Sequence, residues 1–178
     1  MVGMPHTVRR VGPAEWRLLR DTRLRALADA PYAFGSTFED EAAQDDDWWT
    51  TSAEQLAWFV AVDDDGHGHD DGHGHDDTVG LVAGLPTPDD PASRTVISMW
   101  VAPEHRGTGT AQALFEAVRE WARDDGATAL VLGVSDGNER ARRFYERLGF
   151  TPTGAAQPLR SAPTACAVEL RLSLPTDG

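Results

Sequence analysis

The sequence predicts an α/β fold built on a mixed sheet, and three observations carry that expectation. Strands and helices alternate through the second half of the chain. Residues 109–123 place Ala111, Leu114, Phe115, Val118 and Trp121 at helical spacing, a stripe that reads as buried. Residues 128–134 are almost wholly apolar, as in a central strand covered on both faces, whereas residues 165–174 alternate as in a half-covered one. At 178 residues the chain suits a single domain over 1–178 with a sizeable core.

The elements follow in order. Residues 6–11 read as a first strand, broken by Gly12-Pro13. Residues 14–28 read as a helix with Trp16, Leu19, Leu24 and Leu27 among its apolar positions, and Pro31 ends it. The loop from Pro31 leads to Ser36 or Thr37, either of which caps a second, acidic helix from about Phe38. That element includes or precedes Trp48-Trp49, and a further turn covers residues 52–56. Residues 58–62 and 78–85 form a hairpin. Between them, residues 63–77 carry a Gly-His-Gly-His-Asp-Asp repeat with too little apolar surface to offset its ordering entropy, which predicts a disordered tip. Pro86 to Ser93 reads as a second polar loop, and residues 95–101 as a strand. Asp124-Asp125-Gly126 closes the long helix. Asp136-Gly137-Asn138 turns into a last helix ending at Leu148, with Gly149 just past its end.

Composition narrows the function. The net charge of −13 argues against nucleic acid, which needs a basic face. Seven of the aspartates sit in residues 63–77, so the rest of the chain is only moderately acidic. No apolar run approaches the ~18 residues of a membrane span. The first residues lack the charged-then-apolar layout of a signal peptide. The single cysteine, Cys166, excludes an intrachain disulfide framework and fits a reducing cytoplasm, and it reads as a small buried hydrophobe in a late strand.

The stretch that carries chemistry runs from Val101 to Gln112. A β-branched strand enters a Pro103 turn and a loop with Gly107 and Gly109, and the loop opens directly into the long helix. Backbone N–H groups at such a junction lack helical partners, and the helix dipole favours an anion there. Arg106 can add a fork of donors, or point to solvent. A P-loop would need Gly-Lys-Ser/Thr, but all 16 basic residues are arginine. A dinucleotide fingerprint would need a third glycine at position 112, which is Gln.

The pattern Arg106-x-x-Gly109-x-Ala111, preceded by Val101-x-Pro103 and followed by Asn138, Ala141, Tyr145 and Gly149-Phe150, resembles the GNAT N-acetyltransferase superfamily over about residues 6–174. The resemblance implies a mostly antiparallel central sheet flanked by helices, with two parallel strands splayed at the cofactor site. It implies acetyl-CoA as cofactor. The backbone of Met99, Trp100 and Val101 would bond the pantetheine arm, and Arg106 and the N–H groups of Gly107, Thr108, Gly109, Thr110, Ala111 and Gln112 would hold the pyrophosphate. Asn138 would touch the pantetheine or simply cap its helix. Tyr145 would be the general acid at the leaving thiolate. The implied activity is acetyl transfer to a primary amine of a small molecule or peptide, by direct attack on the thioester. A possible homodimer is a family-level expectation.

No carboxylate stands on the strand from Thr95 to Trp100, where many relatives keep a base. Glu39, Asp40, Glu41, Asp136 and Glu169 are the alternatives, each also readable as a solvated surface charge. Glu104 and His105 read as exposed. Phe34, Glu39, Trp48 and Trp49 border the expected acceptor side, and the aromatics read equally as core. The four histidines of the 63–77 loop could bind a metal weakly, but alternating glycine preforms no geometry, and the proposed chemistry requires no metal. The competing function is a non-catalytic acyl-CoA-binding or metal-sensing protein on the same fold.

Overall fold

The computed structural model describes residues 6–63, 77–159 and 164–175. One seven-stranded sheet organises them: β1 (His6–Arg10), β2 (Ala57–Asp63), β3 (Thr78–Thr87), β4 (Asp90–Val101), β5 (Ala129–Ser135), β6 (Thr151–Pro158) and β7 (Cys166–Ser173). The spatial order is β1-β2-β3-β4-β5-β7-β6. Every neighbouring pair is antiparallel except β4 and β5. The α/β class with a mixed, mostly antiparallel sheet is therefore as the sequence predicts. Of the expected disordered tip at residues 63–77, residues 64–76 lie outside the described residues, and Asp63 closes β2. Asp63 and Asp77 at the two ends of the tip are joined by a backbone hydrogen bond of 2.9 Å.

Helix α1 (Trp16–Asp29) buries Leu18, Leu19, Ala26 and Leu27 and reaches β3. The single acidic helix expected from Phe38 is two. α2 (Phe38–Ala42) is capped by Thr37, whose hydroxyl accepts from the Asp40 N–H; α3 (Asp46–Gln55) is capped by Asp45, whose carboxylate accepts from the Trp48 N–H. Two caps within nine residues force the break, and α3 absorbs the turn expected at 52–56.

Helix α4 (Thr110–Asp124) lies along β2 and β3 with Leu114, Phe115, Val118 and Ala122 buried. Ala111 and Trp121, expected in that buried stripe, are half-buried at its margins. Trp121 covers β3 at Gly84, where a Cβ would come within 2.3 Å of the indole. The close approach of α4 to the sheet thus depends on a missing side chain. Helix α5 (Glu139–Arg147) sends Tyr145 inward, where its ring meets Phe150 edge-on at 5.5 Å.

Three expectations change. Pro86 to Ser93 is not a polar loop: β3 and β4 continue through it and turn tightly at Pro88-Asp89, with Asp89 at φ 62°. Asp90 holds the turn, accepting from the Ser93 hydroxyl and Arg171. Strand β6 was not apparent in the sequence, because two prolines and a glycine interrupt it and every residue is exposed. Prolines are tolerated on an edge strand, where one side needs no ladder bonds. Cys166, expected to be buried, is exposed at the start of β7, because it pairs with the uncovered end of β6.

Candidate active site

The site begins with an extra residue in β4. Leu81 pairs with Trp100 and Ala83 with Ile97, so β4 spends one residue more than β3 over this span. Ser98 takes it up at φ 62°, a bulge that bends the strand. On its other edge β4 pairs with β5 only through Ser93, Arg94 and Thr95. Beyond Thr95 and Val131 the parallel strands part. A cavity of about 70 Å³ opens in the gap, lined by Ile97, Ser98, Met99, Gly133, Asn138 and Tyr145, with Phe34 closing it.

That gap joins two larger spaces. On one side a groove of about 360 Å³ runs past Met99, Trp100, Val101, Arg106, Gly107, Gly109, Ala111, Gln112, Asn138 and Tyr145. On the other, a cleft of about 540 Å³ is walled by Arg23, Phe34, Glu41, Trp48, Trp58, Ile97 and Ser98, among others. Apart from Thr108 and Thr110, the sequence-predicted cofactor residues line that groove. Phe34 lines both spaces, and Trp48 lines only the cleft.

The groove has the features of an anion cradle. Gly107 and Gly109 adopt φ 82° and 94°, and a Cβ at either would project into open space. Gly109 precedes α4 with no side-chain cap, and the first intrahelical bond runs from Ala113 N–H to Gly109. The preceding N–H groups thus lack helical acceptors and suit a phosphate. Thr108 and Thr110 serve the loop itself: the Thr108 hydroxyl donates to the His105 carbonyl at 2.6 Å and lies 2.9 Å from that of Thr110.

Arg106 is neither free in solvent nor poised as a fork. Its Nε donates to the Val101 carbonyl at 2.9 Å, and its Nη2 bonds Asp29. The same Asp29 carboxylate accepts from Trp100 Nε1 at 2.9 Å. Asp29 therefore fastens the end of α1 to both sides of the cradle, a role the sequence reading missed. A signal existed: an acid in the last turn of a helix opposes the dipole, a local misfit that invites a tertiary partner.

Asn138 caps α5, its Oδ1 accepting from the Ala141 N–H at 3.2 Å, while the residue also lines the groove. Tyr145 is buried between Phe144 and Phe150. Burial pushes its phenol well above the ordinary range, so it keeps its proton.

On the cleft side the outcomes diverge. Trp49 is only 1% exposed and fills the core, and Glu39 faces solvent on α2 without lining the cleft. Glu41, expected as a solvated charge, is buried against α1. Arg23 Nε donates to its Oε2 at 2.9 Å and Nη2 to its Oε1 at 2.7 Å. Arg23 sits among the buried residues Leu19, Ala26 and Leu27 of α1, the spacing that could have flagged a buried cation needing a partner. Asp136 is exposed, and Glu169 accepts from the Thr153 hydroxyl near the β6 edge. His105, expected to be exposed, is half-buried within 3.9 Å of Asp63. Among the described residues no cluster of three or more His, Cys, Asp or Glu is placed for a metal, and no helix is long and apolar enough to cross a membrane.

The parted parallel strands leave an unpaired edge of β4 beside a glycine loop and an uncapped helix start. The sequence model of the Acetyltransferase (GNAT) family matches residues 22–150, and the chain belongs to that family, whose members use acetyl-CoA. It is 40% identical over 79 residues to N-acetyltransferase 8F1 of Rattus norvegicus, covering 43% of this chain and 36% of that protein. The match thus spans little more than a third of that curated relative's length. An acetyltransferase structure from Salmonella typhimurium, determined with its cofactor acetyl-CoA, superposes at TM-score 0.70 with 18% identity over 98% of this chain and 96% of that one. A GCN5-related N-acetyltransferase from Kribbella flavida gives 0.69 with 20% identity over 95% and 98%. These two likenesses show the fold.

Proposed function

We infer that the chain moves the acetyl group of acetyl-CoA to a primary amine of a small molecule or peptide, by direct attack of the amine on the thioester. One observation carries the reading: the gap between β4 and β5 connects a phosphate-suited groove to a separate cleft, with Tyr145 and the Ser98 bulge at the junction. When bound, acetyl-CoA supplies an acetyl group activated as a thioester.

The chain's own residues then have distinct tasks. The N–H groups from Gly107 to Gln112 hold the pyrophosphate. Met99 and its neighbours on the unpaired edge of β4 offer backbone groups to the pantetheine arm, as a missing strand would; the Val101 carbonyl is already engaged by Arg106. Backbone N–H groups at the bulge are candidates to stabilise developing negative charge on the carbonyl oxygen. Tyr145 Oη keeps a proton and would give it to the departing sulfur. Among the described residues Glu41 is the one carboxylate lining the cleft, and both its oxygens are bonded to Arg23. Proton loss from the amine is therefore assigned to water, not to a side chain.

The test is amine-dependent thiol release from acetyl-CoA across an amine panel. Tyr145→Phe is expected to lower kcat by about 100-fold or more, with little change in acetyl-CoA binding. Tight cofactor binding with no turnover on any amine would support the non-catalytic alternative.

A further inference from the structure

Arg23, which lines the acceptor cleft, carries a buried donor that the protein does not use. Arg23 is 5% exposed and lines the cleft, and its guanidinium lies over the Phe34 ring, 4.6 Å from the centroid. Glu41 occupies Nε and Nη2, but Nη1 is buried with no hydrogen-bond partner. Buried polar groups are almost always satisfied, and an orphaned donor on a charged group is unusually costly. A guanidinium fixed by a bidentate partner and an aromatic face cannot swing away to find water. An oxygen supplied by the substrate would satisfy it.

Resting on the acetyltransferase reading, the geometry points to an acceptor amine that carries an uncharged carbonyl oxygen beside the amine, accepted by Arg23 Nη1. This is the chemistry of an amino-acid amide or a peptide N-terminus. Charge favours it over a free carboxylate. Glu41 already neutralises Arg23, and the two helices framing the cleft expose Glu39, Asp40, Asp45, Asp46 and Asp47. A second anion would enter a negative rim toward a pair with no net charge. The remaining walls, Phe34, Trp48 and Trp58, suit an apolar side chain on the same molecule.

Three amines with one side chain test the assignment on the full chain: phenylalaninamide, phenylalanine and phenethylamine, with rates referred to free-amine concentration. The amide is expected to show kcat/KM about 10-fold or more above the other two. In Arg23→Met/Glu41→Leu, which removes both charges so that neither is left buried alone, that preference is expected to fall to near unity. Equal use of phenylalaninamide and phenethylamine by the native chain overturns the proposal. So does a preference for phenylalanine, or an amide preference that persists in the double variant. The native series decides by itself if the double variant does not fold. Should no amine release thiol, calorimetry of the three amines with CoA present separates the two readings. Amide-selective binding keeps the Arg23 assignment and removes acetyl transfer, whereas unselective or absent binding removes both.

Discussion

The two spaces that meet at the β4–β5 gap are built on different principles. The proposed cofactor groove is made largely from backbone. One continuous run supplies its cradle: the end of β4, a loop with two positive-φ glycines, and the uncapped start of α4. The proposed acceptor cleft is made from side chains on α1, the Phe34 loop, α2, α3, β2, β4 and β5, held by pairs such as Arg23–Glu41 and Trp58–Ser52. The groove can serve a constant ligand, since its donors do not depend on residue identity. The cleft can change its ligand one side chain at a time without disturbing the cradle.

Three substitutions would break or sharpen that contrast. Gly109→Val sets a β-branched residue at φ 94° and adds atoms to the groove. Strain of about 1–3 kcal/mol corresponds to about 5–150-fold weaker acetyl-CoA binding, read by cofactor titration, with amine preference unchanged. An unaltered cofactor affinity would show that the backbone cradle is not the phosphate site. Asp29→Asn weakens the tie between α1, Trp100 and Arg106. Because that ion pair is partly exposed, the expected effect is about 2–5-fold on acetyl-CoA KM. An equal change in amine KM would mean that the two sides are not separable. Trp48→Ala trims a wall that is 40% exposed at the cleft. It should raise KM for apolar amines by about 2–5-fold and leave acetyl-CoA KM alone.

The long-helix stripe, the apolar β5 and the paired glycines were readable because each is a local pattern with one structural solution. The break between α2 and α3 was half-readable: its caps are in the sequence, but acidic residues on both sides mask it. Strand β6 was not readable, since an edge strand needs only a partner and has no apolar period to announce it. The same limit applied to Trp49, which filled core while its neighbour Trp48 reached the cleft.

By itself the sequence determined the α/β class, the order of its main elements and the place of the glycine loop ahead of α4. Those follow from periodicity, helix ends and glycine's access to positive φ, all properties of short segments. Only the tertiary structure decided that Arg106 is tied to Asp29, that Glu41 is buried against Arg23, and that β4 bulges at Ser98 so the parallel strands part. Each of these joins residues far apart in the chain or depends on strand register. Their energies come from burial and pairing across elements, which no local pattern encodes.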